Sequence, residues 1–301
     1  MDLLIPSLPT PLQELTDEVI TKAGIRLFIK RDDLIHPTVS GNKWRKLKYN
    51  LQQARAENAT TLLTFGGAYS NHLYATAAAG NVLGLKTIGI VRGEDYGGKL
   101  TPTLLFCQEQ NMKLHFVSRQ EYRQRNNPEY LAELSIKFEN PYLIPEGGTS
   151  ELALKGVEEM TFEVENELNR KPDFYAVAVG TGGTAAGILS SGSHVLAFSA
   201  LKGGDFLKDD IENLLKGNDE IGNLQLFTDY HFGGYAKWTP ELITFMTEFK
   251  QNHNIQLEQV YTAKMFFGLY DLIKQDFFKK DTVIVAVHTG GLQGLLSSLK
   301  L

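Results

Sequence analysis

Six short runs of β-branched and small apolar residues punctuate the chain: TLLTF (61–65), KTIGIV (86–91), KLHFV (113–117), FYAVAV (174–179), HVLAFSA (194–200) and TVIVAV (282–287). Most are too short for a helix and too continuously apolar for a strand with one wet face; strands covered on both sides read this way. Between them, apolar residues recur at spacings of three and four, predicting helices over 42–56, 71–83, 100–110, 151–168, 184–191, 239–253 and 263–278. Strand and helix alternating in this manner imply an α/β fold with largely parallel sheets. At 301 residues and 43% hydrophobic content the chain can bury a large core. No Pro/Ser/Gly linker divides it, so the expected layout is a smaller unit, 47–148, inserted into a larger one, 1–46 plus 149–301, with one cleft between them.

Thirty basic against thirty-five acidic residues leave a net charge of −5, which weighs against general affinity for nucleic acid or anionic membranes. An anionic ligand must therefore be held locally. The one cysteine, Cys107, excludes an internal disulfide and a cysteine-cluster metal site. It reads as a small buried hydrophobe in a chain from a reducing compartment. The start, MDLLIPSLPTPLQEL, lacks a basic segment followed by a sustained apolar run, and no stretch approaches the ~18 apolar residues of a membrane span. The expectation is a cytoplasmic protein with neither a membrane nor a nucleic-acid partner, and with no metal.

Residues able to carry chemistry gather where strands hand over to helices. In TVSGNKWRKLKYNLQQA, Trp44, Leu47, Leu51 and Ala54 form an apolar helix face, with Arg45, Lys46 and Lys48 read as its solvated basic side. Lys43 falls in the first turn, where the helix dipole disfavours its protonation. In TFGGAYSNHLYATAAAG, Ser70 is a good N-cap, and Asn71 and His72 stand beside it. VAVGTGGTAAGIL sets Gly180, Gly182 and Gly183 at a strand–helix junction whose N–H groups suit a phosphate. Gly180, Gly182 and Ala185 also satisfy G-x-G-x-x-A, which raises an NAD-dependent oxidoreductase as a rival, but the following strand lacks the closing acid of that fingerprint. Further junctions offer Tyr261 and Thr262, then Thr289 and Gly290, while DYHFGGYAKWTPE adds Tyr235 in a glycine loop.

In order and combination, GNKWRKL, GGAYSNH, IPEGGTS, VGTGGTAAG, GGYAK, VYTAKM and HTGG resemble the fold-type-II pyridoxal-5'-phosphate enzymes. Within that family they resemble the D-cysteine desulfhydrase and 1-aminocyclopropane-1-carboxylate (ACC) deaminase branch. The resemblance implies a tryptophan-synthase-β-like architecture, two three-layer α/β/α domains with the cofactor between them, and a homodimer acting on a small amino acid. It implies that Lys43 forms the internal Schiff base with pyridoxal 5'-phosphate. Asn71 would bond the pyridine oxygen, Gly180, Thr181, Gly182, Gly183 and Thr184 would cradle the phosphate, and Thr262 would meet the ring nitrogen. Thr289 and Gly290 would line the other edge of the cofactor. Ser70, Asn71 and His72 would face the substrate carboxylate, with Tyr261 and Tyr235 as acid–base groups. By the same likeness the substrate displaces Lys43, whose freed amine removes a proton; a β-leaving group then departs and hydrolysis yields a 2-oxo acid and ammonia.

Thr262 and Thr289 match the desulfhydrase pattern, whereas the ACC deaminase pattern has an acid and a bulkier apolar residue at those positions. D-cysteine, giving pyruvate, sulfide and ammonia, is therefore the expected substrate, with ACC, giving 2-oxobutyrate and ammonia, as the alternative. Tyr69 departs from the family, which usually has glutamine there, and is expected to alter the substrate pocket.

Overall fold

A computed structural model describes residues 4–93, 99–218, 220–296 and 299. Strands β1 (Leu12–Leu15) and β2 (Arg26–Lys30), with helix α1 (Glu18–Ala23) between them, open the larger sheet. Helix α2 (Asn42–Ala56) then leads into β3 (Thr61–Gly66), α3 (Asn71–Leu83), β4 (Lys86–Arg92), α4 (Pro102–Glu109), β5 (Met112–Val117), α5 (Arg119–Tyr122), α6 (Pro128–Lys137) and β6 (Tyr142–Ile144). Helix α7 (Glu151–Leu168) returns the chain to β7 (Phe174–Val179), α8 (Gly183–Leu189), β8 (Val195–Ser199), α9 (Leu207–Leu214), β9 (Leu224–Phe227), α10 (Pro240–His253), α11 (Thr262–Lys274) and β10 (Val283–Val287).

Two sheets result. The larger runs β1-β2-β10-β7-β8-β9, with β1 antiparallel to β2 and the remaining pairs parallel. The smaller runs β5-β4-β3-β6 and is parallel throughout. Alternation along each strand divides the core between two faces, as the pleat requires. Leu27, Ala176, Phe198 and Ile284 meet α10 and α11 on one face of the larger sheet. Phe28, Val177, Ala197 and Val285 meet α7, α8 and α9 on the other. The smaller sheet is covered likewise, by α2, α3 and α4 on one side and by α5 and α6 on the other.

The six runs read from sequence are all strands. Four further strands and helices α1, α5, α6 and α9 lie outside that reading. Cys107 is fully buried in the small-sheet core, where burial pushes its thiol up to about 12. Among the described residues no helix is long and apolar enough to cross a membrane.

Candidate active site

A cavity of about 510 Å³ opens where the carboxyl ends of both sheets converge. Its walls come from the segments following β3, β6, β7 and β10, together with the first turn of α2. This is where ligands bind in parallel α/β sheets, because strand ends leave unpaired N–H groups beside helix N-termini.

Lys43 enters the cavity from α2. Gly41 makes this possible: its φ of 65° is left-handed, and a β-carbon there would lie 1.8 Å from the Thr289 carbonyl oxygen. The α2 start is thereby pressed against the loop after β10, and Asn42 N–H donates to Thr289 O at 3.3 Å. The Asn42 amide accepts from Lys43 Nζ at 3.1 Å and donates to Thr184 Oγ1 at 2.8 Å, tethering the amine to the glycine loop. Desolvation lowers the Lys43 pKa to about 8, so its neutral form is accessible near neutral pH.

Lys46 and Arg45 correct the solvated-face reading. Both are 1% exposed, because α7 and the larger sheet cover the side of α2 that would otherwise meet water. Lys46 Nζ donates to Thr149 Oγ1 at 2.8 Å, and a β-carbon on Gly183 would sit 2.8 Å from it. Its pKa is driven well down by desolvation and then by Lys43. A desolvated amine against the N–H groups of 180–184 is complementary to a phosphate, whose charge would restore its own. Sequence reasoning placed the glycine loop here but not the lysine that completes it.

Arg45 points into a buried cluster. Its guanidinium forks onto Asp32 with two 2.7 Å bonds and onto Glu163 at 2.9 and 3.0 Å. Lys30 Nζ meets Glu163 at 2.7 Å and Thr10 O at 2.6 Å, so two cations balance two carboxylates. Burial opposes the Arg45 charge, and Asp32 and Glu163 outweigh it, leaving the pKa raised. Lys48 alone stays half in water, paired with Glu159.

At the start of α3, Ser70 caps the helix, its Oγ accepting from Leu73 N–H at 3.2 Å, and both Ser70 and Asn71 line the cavity. Asn71 Oδ1 accepts from Gln293 Nε2 at 2.8 Å, a partner that the sequence did not suggest. His72 is buried beside them. Thr64 Oγ1 donates to Ile144 O at 2.8 Å and stands 2.7 Å from His72 Nε2, which assigns the ring proton to Nε2. Nδ1 is then a buried acceptor with no hydrogen-bond partner among the described residues. Desolvation, then Lys43 and Lys46, lower its pKa well below the ordinary value, so His72 is neutral and does not offer a charge to a carboxylate. Tyr69 is 53% exposed and stays off the cavity lining; its carbonyl, not its ring, reaches the site by accepting from Tyr235 Oη at 3.3 Å.

Across the cavity stand Tyr235 and Tyr261, their ring centroids 6.1 Å apart. Burial raises both, Tyr235 to about 12, and each phenol acts on the other, lowering Tyr235 and raising Tyr261. Tyr235 Oη itself donates to Tyr69 O. Thr262 is fully buried and off the cavity lining: its hydroxyl accepts from Glu258 N–H at 2.9 Å and donates to Glu258 O at 3.3 Å. The Glu258 carboxylate caps α11, accepting from the N–H groups of Val260, Tyr261 and Thr262 at 2.6–2.8 Å. Thr289 lines the cavity, while Gly290, with φ of 80°, packs against Ser40 and Gly41 behind it.

An amine poised to be neutral, a phosphate cradle ending on a second lysine, and a phenol pair opposite them fit a phosphorylated aldehyde cofactor. The comparisons with known proteins agree. A family model described as pyridoxal-phosphate dependent enzyme matches residues 5–290. The chain is 34% identical to the bifunctional D-cysteine desulfhydrase/1-aminocyclopropane-1-carboxylate deaminase of Arabidopsis thaliana, over 96% of this chain and 77% of that protein. It is 29% identical to the D-cysteine desulfhydrase of Serratia proteamaculans, over 96% and 93% of the two chains. A solved ACC deaminase homologue superposes with a TM-score of 0.83 at 30% identity, covering 97% of this chain and 91% of that one. These matches displace the dinucleotide reading of Gly180, Gly182 and Ala185. The fold is that of the type-II pyridoxal enzymes, and the chain belongs to the family of pyridoxal-phosphate dependent enzymes.

Proposed function

We propose that this chain is a D-cysteine desulfhydrase, cleaving D-cysteine to pyruvate, sulfide and ammonia. The observation that carries the reading is Lys43: an amine with its pKa at about 8, held by Asn42 beside the glycine loop and Lys46. Pyridoxal phosphate, when bound, supplies an electron sink for charge developing at the substrate α-carbon. Lys43 would hold it covalently, Lys46 and the N–H groups of 180–184 would hold its phosphate, and Asn71 would hold its ring oxygen.

The remaining work belongs to side chains of this protein. Ser70 Oγ already accepts from Leu73 N–H, so its hydroxyl proton is left to donate to the substrate carboxylate at the positive end of α3. Neutral Lys43 Nζ takes the proton from the α-carbon. Tyr261, packed edge-on against Tyr235, gives a proton to the departing sulfur. Thr262, behind the cavity lining, would be the neutral hydroxyl partner of the ring nitrogen, the 3.3 Å bond to Glu258 O being the longer of its two present bonds. Glu258 does not compete for that nitrogen, because its carboxylate is spent on three backbone N–H groups. A neutral partner for the ring nitrogen favours β-elimination from cysteine over opening the cyclopropane of ACC, which is the reading the relatives' names also allow.

The test is direct. Purified enzyme should release sulfide and pyruvate from D-cysteine, and Lys43→Ala should lose both turnover and the visible absorbance of the bound cofactor. A dominant yield of 2-oxobutyrate from ACC would move the assignment to the deaminase. The reading further takes the chain as a cytoplasmic homodimer, built from a large unit, 1–46 plus 149–301, and a small unit, 47–148, and acting without nucleic acid. Light scattering on the eluted peak and limited proteolysis test the assembly and the unit boundaries.

A further inference from the structure

Lys264, in the first turn of α11, is 1% exposed and reaches no carboxylate among the described residues. Its Nζ instead donates to three backbone carbonyls: His231 O and Gly234 O at 2.8 Å and Ala200 O at 3.4 Å. A buried cation at the positive end of a helix is doubly unfavourable, and desolvation lowers its pKa to about 8 although Glu258 acts against this. Helix stability does not account for it.

The segment it gathers does. Between β9 and α10 the chain takes left-handed backbone at Phe232 (φ 50°), Gly233 (92°), Gly234 (112°) and Ala236 (53°). That run turns the His231 and Gly234 carbonyls inward onto one point, and Ala200, just past β8, supplies the third. Tyr235 follows Gly234 directly. Its side chain has modest restraints of its own, a 3.3 Å bond to Tyr69 O and the edge of the Tyr261 ring. The loop backbone must therefore set where the phenol stands.

We infer that Lys264 is a positioning residue, the built-in cation of a carbonyl cage that holds Tyr235 in the active site. The inference rests on the acid–base role proposed above for Tyr235. Removing the side chain would leave a carbonyl-lined hollow of a kind that ammonium or potassium ions fill, since both are ligated by oxygen and match the lost ammonium in charge.

The experiment uses Lys264→Ala holoenzyme, Tyr235→Phe and the double variant, each in ammonium chloride and in choline chloride of equal ionic strength. In choline, Lys264→Ala should lose about 10- to 100-fold in kcat, the scale of a misplaced acid–base group, with little change in KM. The double variant should be no worse than Tyr235→Phe, and ammonium should restore activity to Lys264→Ala alone. Cofactor-free Lys264→Ala should also melt higher in ammonium than in choline, a shift absent from wild type. Additive losses in the double variant, or a kcat within twofold of wild type in choline, would overturn the inference. If Lys264→Ala does not fold in either salt, Lys264→Gln keeps two N–H donors without the charge, and wild-type kcat in that variant would equally overturn it. Failure of the functional reading looks different: Tyr235→Phe would then retain full activity while the ammonium-dependent melting shift persisted.

Discussion

Arg45→Met separates a buried strut from a solvated cation. The substitution keeps the length and apolar stem but removes a guanidinium making four bonds of 2.7–3.0 Å to Asp32 and Glu163. Asp32, with 1% of its side chain exposed, would keep only Thr10 Oγ1, and Glu163 would keep Lys30. Two carboxylates would then face one cation in a site that water hardly reaches. Removing one partner from such a group costs about 3–5 kcal/mol. At about 2 °C per kcal/mol for a chain of this size, the melting midpoint should fall by roughly 6–10 °C. Lys48→Met is the internal control: its pair with Glu159 is 22% and 29% exposed, worth about 0–1 kcal/mol. Calorimetry on the cofactor-free protein reads both. Adding Asp32→Asn to Arg45→Met should recover part of the loss, because the penalty lies in the uncompensated charge. An Arg45→Met midpoint within about 2 °C of wild type, no worse than Lys48→Met, would refute the reasoning.

Lys46→Met should weaken pyridoxal phosphate binding by about 10- to 100-fold, the worth of one charge-assisted bond, measured by titrating cofactor-free protein. Lys43 gives a pH signature in the same cofactor-free protein. Its pKa of about 8 lies below the ordinary 10.5, so the neutral amine grows in as pH rises through 8. Roughly 10% should be neutral at pH 7, against about 0.03% for an ordinary lysine. Peptide mapping after brief amine acylation across pH 6–11 should therefore show Lys43 labelled with a midpoint near 8, ahead of the surface lysines.

Strands such as VIVAV and FYAVAV are legible in the sequence because both their faces are buried and every residue has the same reason to be apolar. Strands β1 (LQEL) and β9 (LQLF) are four-residue edges of the larger sheet, β6 has three residues, and β2 (RLFIK), though inside the sheet, has only three apolar residues between Arg26 and Lys30; local pattern does not distinguish these from loop. The same division holds at the site. Glycine loops and helix caps announce themselves because their cause is local backbone geometry. Arg45 pairs with Asp32, 13 residues back, and with Glu163, 118 residues on, while Lys46 meets Thr149 103 residues on; no helix-spaced pattern within GNKWRKL tells an interior cation from a wet one. Lys264 left one trace: it is a lone charge in the apolar run AKMFFGL, on a helix otherwise buried around it.

Helix geometry explains how a single turn of α2 serves two opposed electrostatic purposes. At about 100° per residue, Lys43 and Lys46 fall some 60° apart while Arg45 lies nearly opposite Lys43. The carboxylates are thus committed to Arg45 on the far side, and the amine in the cavity is left with an amide for a partner. If that segregation is what keeps Lys43 near pKa 8, Asn42→Asp should undo it. Asn42 Oδ1 stands 3.1 Å from Lys43 Nζ, so the substitution sets a carboxylate at contact distance with almost no change in shape. An opposite charge that close favours the ammonium form. The Lys43 acylation midpoint should move from about 8 back toward 10.5, and turnover at neutral pH should fall with it. Thr184 can rotate its hydroxyl to donate where it now accepts from Asn42 Nδ2, so the tether survives and the change reads charge alone. A midpoint still near 8 in Asn42→Asp would mean that the depressed pKa does not depend on keeping carboxylates away from this face of the helix.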